Sequence, residues 1–155
     1  MLSRGFTLLE LIVVLFIIGI LLTLIVPSLS DGRSRRLNEM RDQMVMLINQ
    51  ARQEAVLSSR IWKVEFDSET DSYSFTQRNG SGFDKSVDGP FSSARSTPSV
   101  EFQELLINGE PAAPAGAVYL FPTGEQDTFR LVLRAGEHVG VVAMGPVGPA
   151  EGGTQ

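Results

Sequence analysis

The chain contains no cysteine. Disulfides, thiol nucleophiles and thiolate metal sites are therefore excluded. Histidine occurs once, at His138, which leaves no histidine cluster for zinc and would make a serine–histidine hydrolase depend on that residue. Positive charge is in deficit: the 155 residues carry a formal net charge of −5, which argues against a general nucleic-acid-binding role. No internal repeat is present, and the length suits one domain.

Apolar residues make up 43% of the chain, unevenly spread. Between Phe6 and Val26 the polar side chains are Thr7, Glu10 and Thr23, and Leu11 to Leu22 is an unbroken apolar run. A secretory signal has an apolar core of about 7–15 residues and then a small-residue cleavage site. Here Pro27-Ser28-Leu29-Ser30-Asp31 follows, with no A-x-A-like site. The 21 residues from Phe6 to Val26 would form a helix about 31 Å long, enough for a hydrocarbon core of about 30 Å. A retained membrane helix is expected over 6–26. Gly19 suits close packing against another helix. An acid such as Glu10 costs on the order of 2.5–3.5 kcal/mol at a bilayer centre and less near the interface. Two readings of it stay open: it snorkels to the headgroups, or it needs a positive partner inside the membrane. Only Arg4 and the amino terminus precede the span, and Arg33, Arg35 and Arg36 follow it. The positive-inside rule alone would put the bulk of the chain in the cytoplasm.

Beyond the span, Pro27 lacks an N–H and should kink a helix. Leu37, Met40, Met44, Leu47 and Ala51 recur at spacings of three and four, and Ile48 and Ala55 widen the stripe. This predicts an amphipathic helix to about Ser59. The period then becomes two. Trp62, Val64 and Phe66 share a face opposite Lys63 and Glu65, the stretch 67–71 turns, and Tyr73 and Phe75 resume the alternation as a hairpin. Residues 78–99 are rich in Ser, Gly and Pro and read as a long loop. Short strands are expected at Val100–Phe102, Leu105–Ile107, Val118–Phe121, Phe129–Leu133 and Val139–Met144. The tail from Gly145 has four glycines and two prolines and reads as flexible.

Few residues invite chemistry. Asp67, Glu69 and Asp71 have acidic spacing like the start of a calcium loop, but Ser72 stands where its glycine belongs and Arg78 where its final Glu belongs. A solvated turn is the better reading. Gly80 and Gly82 form a G-x-G with no helix after it, a poor phosphate cradle. Asn79-Gly80-Ser81 fits a glycosylation sequon and carries little weight. His138 reads as a surface or edge residue. No catalytic residue, metal site or cofactor is expected. Charge is polarised: residues 33–60 hold six arginines and three acids, for +3, while residues 61–155 hold six basic and thirteen acidic residues, for −7. The Arg33–Arg36 cluster reads as a solvated helix face, compatible with contact to anionic headgroups or an acidic neighbour. The acidic remainder would repel DNA backbone phosphates.

The stretch Arg4-Gly5-Phe6-Thr7-Leu8-Leu9-Glu10 resembles the processing signal of type IV pilins and of the pseudopilins of type II secretion. Its parts are a short basic leader ending in Gly, then Phe, then an apolar run with Glu as the fifth residue after the break. Pro27 matches the helix-kinking proline of that superfamily. Gln50 to Ala55, the Trp62–Phe75 hairpin and Phe121-Pro122-Thr123-Gly124-Glu125 resemble the H-type minor pseudopilins, and the absent cysteines favour a pseudopilin over a pilin.

The resemblance implies a type IV pilin-like α+β fold: a long N-terminal helix, its first half membrane-spanning, packed on an antiparallel β-sheet domain. It divides the chain into a leader (1–5), a transmembrane helix (6–26), its amphipathic continuation (27–60), a periplasmic sheet domain (61–144) with the long loop 78–99, and a tail (145–155). A prepilin peptidase would cut between Gly5 and Phe6, leaving 150 residues, and the Phe6 amine would be N-methylated. The domain would lie in the periplasm, single-pass in a bacterial inner membrane, which overrides the charge rule. In a filament the Glu10 carboxylate would meet the Phe6 amine of a neighbour. The implied partners are the peptidase, the inner membrane before assembly, and other pseudopilins, major and minor, with no nucleic acid. The implied role is a non-enzymatic subunit of the periplasmic pseudopilus, near its tip, helping to export folded proteins across the outer membrane. The alternative is a minor pilin that primes a type IV pilus or serves DNA uptake. A membrane-anchored periplasmic enzyme is a third reading with little behind it.

Overall fold

The structure, a computed structural model, describes residues 8–25, 27–85 and 89–154, with the backbone alone at 21–25, 27–31 and 85. The chain forms two compact units, 1–32 and 33–155. The first contains helix α1 (Leu8–Ile25). Helix α2 (Pro27–Ser58) begins at the end of the first unit and supplies the helix of the second. Pro27, where a kink is expected, is the first described residue of α2. Among the described residues no helix is long and apolar enough to cross a membrane. The 18 residues of α1 rise about 27 Å, short of a core of about 30 Å. Phe6, Thr7 and Val26, which complete the expected span, lie outside the described residues.

In the second unit α2 buries the predicted stripe. Leu37, Met40, Met44, Leu47, Ile48, Ala51 and Ala55 all lose their solvent exposure to one core. Two antiparallel sheets complete that core. The first has the order β3-β2-β1-β7, built from β1 (Trp62–Asp67), β2 (Ser72–Asn79), β3 (Gly82–Lys85) and β7 (Ala115–Leu120), with the short β4 (Arg95–Ser96) also on β2. The second has the order β10-β9-β8-β5-β6, from β5 (Glu101–Ile107), β6 (Glu110–Pro111), β8 (Phe129–Ala135), β9 (His138–Met144) and β10 (Ala150–Thr154). The expected hairpin forms with Val64 opposite Phe75 and Phe66 opposite Tyr73. Its inward side chains pack as expected from a period of two.

Three sequence expectations change. The segment 78–99 is not a plain loop. The strand β2 runs on to Asn79, Gly80 takes a positive φ of 58° in the turn, and β3 returns with Phe83 opposite Arg78. Further on, Phe91 closes over Trp62 and Phe75, with ring centroids 4.8 and 5.1 Å away. Residues 86–88 lie outside the described residues. The strands expected at Val100–Phe102 and Leu105–Ile107 are one strand, β5, with a register shift between Phe102 and Glu104. Composition misled at 78–85 because glycine and serine mark a tight hairpin as readily as a loop, and at 100–107 because a bulge at the polar Gln103-Glu104 pair interrupts the alternation.

The tail is the clearest correction. Residues 150–154 form β10 against β9. Asn49 on α2 donates from Nδ2 to the Ala150 carbonyl (3.1 Å) and accepts the Ala150 N–H at Oδ1 (2.7 Å). A helix side chain thus acts as a strand neighbour. Glycines let the helix come close: a Cβ at Gly136 would lie 2.9 Å from Arg33 Nη1, and one at Gly152 would lie 3.1 Å from Arg41 Cδ. Asn49→Ala should leave both Ala150 groups without their partner and lower stability by about 1–2 kcal/mol. Asn49→Asp, which keeps only the acceptor, should fall between. Urea unfolding followed by the fluorescence of Trp62, the single tryptophan, measures both.

Candidate assembly site

Helix α1 is apolar on every side. From Leu8 to Ile18 each large side chain stands between 43% and 76% exposed. A helix with no polar face needs lipid or other apolar helices around it. Glu10 is the one charged residue in its sequence, sits in the first turn and is exposed. An acid in that turn is favoured by the positive end of the helix dipole. Gly5 and Phe6, the expected cleavage and methylation positions, lie outside the described residues.

In the second unit the acidic trio has structural work. Asp67 Oδ1 accepts the backbone N–H of Glu69 (2.8 Å) and of Thr70 (3.3 Å). The Thr70 side chain, then the Glu69 N–H, hold the Asp67 carboxyl below its ordinary value. Asp71, at φ 48°, accepts the Phe102 N–H at 2.7 Å and so joins the β1–β2 turn of the first sheet to β5 of the second. Glu69 is exposed. Among the described residues no group of three His, Asp or Glu side chains could hold a metal ion. His138 opens β9 opposite Ala135 and is exposed. Gly80 and Gly82 belong to the β2–β3 hairpin.

Sequence reasoning missed two further links. Asp127 accepts the Tyr119 N–H (2.9 Å) and the Asn108 side-chain amide (3.0 Å), while Asn108 accepts the Thr128 N–H (2.9 Å). This network ties β7 to the end of β5. The stretch from Phe121 to Glu125 is a turn, with the Phe121 N–H on the Glu125 carbonyl (2.9 Å) and Gly124 at φ 85°. It delivers the buried Gln126, whose Nε2 donates to the carbonyls of Gly145 (2.9 Å) and Gly148 (2.7 Å). No local sequence signal foretells these pairs, because a surface Asn or Gln looks the same whether or not a distant carbonyl awaits it.

A family described as type II transport protein GspH matches residues 41–148, and the prokaryotic N-terminal methylation motif matches residues 1–26. The chain belongs to the type II transport protein GspH family. It is an H-type minor pseudopilin with the pilin-like α+β fold expected above. The minor pseudopilin EpsH of the type 2 secretion system of Vibrio cholerae is similar in structure, with a TM-score of 0.62 at 17% sequence identity, over 77% of this chain and 97% of that one. A search of curated protein sequences found no match.

The aromatic centre of this pseudopilin offers little for acid–base chemistry. Tyr73 is buried, its hydroxyl has no hydrogen-bond partner among the described residues, and burial pushes its pKa up to about 12 against a smaller lowering by Arg95. A folded value above the unfolded value of 10.0 means the native state keeps its proton longer. Stability from this group is therefore complete below about pH 10 and lost as pH climbs toward about 12. Tyr73→Phe should leave stability at pH 7 nearly unchanged. Compared with the parent between pH 10 and 12, it should lack an alkaline loss on the order of 2–3 kcal/mol. Parallel urea titrations across that range check the difference.

Proposed function

We propose that this GspH-family chain is made with a five-residue leader, cut between Gly5 and Phe6 by a prepilin peptidase, and N-methylated at Phe6. The span 6–26 then holds it in the bacterial inner membrane with residues 33–155 in the periplasm. In the pseudopilus, near its tip, it serves as a structural subunit without an active site. It joins other pseudopilins there, and the filament helps folded proteins leave through the outer membrane. The observation that carries this reading is the combination of a methylation motif over 1–26 with a GspH-type unit over 41–148 in one chain. The family match favours a secretion pseudopilus over the alternative of a pilus or DNA-uptake apparatus, and the −7 of residues 61–155 weighs the same way.

The chemistry of assembly follows from the charges. Cleavage removes Arg4 and creates a cation on Phe6, four residues from Glu10. Neither charge is comfortable in lipid alone. Side by side across two subunits, each offsets the other's desolvation cost, and a misaligned neighbour leaves a buried acid. The pair therefore sets the stagger between subunits. Gly5 gives the peptidase unobstructed access to the backbone. Pro27 allows the helix to bend beyond the span.

Mass spectrometry of the protein from secreting cells should find a chain beginning at methylated Phe6. A chain beginning at Met1 in cells with active peptidase would sink the reading. Glu10→Ala should insert into membranes like the parent but enter filaments poorly, with pull-down by other pseudopilins reduced at least tenfold. Normal secretion and assembly by that variant would count against the Glu10 pairing.

A further inference from the structure

The basic residues that follow the apolar run do not stand alone. Arg33, Arg35 and Arg36 come within ten residues of Val26 in sequence and lie at the start of the second unit. Arg33 rests against Gly136 in the β8–β9 turn. Near the end of β8, Arg134 donates from Nε to the Gly136 carbonyl at 2.9 Å. A far part of the chain thus brings a fourth arginine to the end already carrying three. The acids there are Glu39, paired with Arg35 at 2.7 Å, Glu137 in the turn, and Glu101, which stands opposite Arg134 in the β5–β8 ladder, while Asp31 precedes Arg33 by two residues in sequence. Arg36 is exposed and has no ion pair among the described residues. The neighbouring His138 is exposed. The rest of the domain is acidic, with −7 over residues 61–155.

We propose that this basic end, formed by Arg33, Arg35, Arg36 and Arg134, docks on anionic phospholipid headgroups while the protein waits unassembled in the membrane. The inference rests on the membrane-anchored reading above. Three arguments select this occupant. Arg33, Arg36 and Arg134 have no ion pair among the described residues, which leaves guanidinium charge complementary to a phosphate-rich surface. The arginines lie next in the chain to the apolar run. Guanidinium forks also suit phosphate oxygens, with planar paired donors. On that reading the three helix arginines are translocated against the positive-inside tendency, and headgroup contact on the far side compensates for them.

The absence of cysteine makes the test clean. His138→Cys in the full chain introduces a unique site for an environment-sensitive fluorophore beside the turn. The labelled protein is reconstituted, one copy per disc, in nanodiscs of phosphatidylcholine with or without phosphatidylglycerol, and quenching by a headgroup-attached nitroxide is read. The expected result is strong quenching with phosphatidylglycerol, at least a twofold loss without it, and a further loss on raising salt. Arg33→Gln/Arg36→Gln/Arg134→Gln should behave in either lipid like the parent in phosphatidylcholine, and the triple Lys variant should keep most of the effect. Near-unchanged Trp62 fluorescence confirms that both variants fold. Equal quenching in both lipids, or quenching only in discs holding two copies, overturns the inference while leaving the membrane reading intact. Failure to enter discs of either composition overturns both.

Discussion

The second unit depends on a single constraint: one apolar stripe of α2 has to serve two sheets at once. The residues from Leu37 to Ala55 that point inward meet Trp62, Val64 and Phe66 of one sheet and Leu131, Leu133 and Val142 of the other in one cluster. A helix face wide enough for this needs more than a narrow seam, which is why Ile48 and Ala55 stand beside the regular spacing. The sheets share no strand, so their mutual placement rests on the shared core, where Phe66 meets Phe129 at 5.2 Å, on the helix, and on bonds that cross between them.

Those crossings do the work that disulfides perform elsewhere. Asp71 reaches the Phe102 N–H, Asp127 and Asn108 join β7 to the end of β5, and Gln126 gathers two carbonyls of the 145–148 stretch. All but the Asn108–Asp127 bond join a side chain to backbone at a seam, where the sheet ladder has ended and the part-buried groups would otherwise go unmet. A chain without cysteine can hold two sheets in register this way, at the cost of needing each of these short polar side chains in place.

What was legible in the sequence was what is local. The stripe of α2 follows from a period of 3.6, and the β1–β2 hairpin from a period of two, because burial on one side imprints both patterns directly. The N-terminal methylation motif is local too, matched over residues 1–26. The strands β3 and β10 were not legible. Both are short edge strands rich in glycine or polar residues, so they carry no alternation strong enough to read. The strand β10 pairs with β9 and is tied to the helix by a contact between Asn49 and Ala150, residues 101 positions apart. The basic end escaped for the same reason. Three of its arginines are neighbours in sequence, but the fourth arrives through the β8–β9 hairpin, and only the folded chain brings it there.

The grip of Asn49 on Ala150 has a consequence for polymer chemistry. Exposed strand edges invite indiscriminate ladder growth between molecules. Here an amide from the helix occupies the backbone of the terminal strand, and Arg41 lies across Gly152 of the same strand. Ladder pairing between molecules is thereby discouraged at the Ala150 end of this ribbon edge, and amyloid-like growth loses one of its natural starting points.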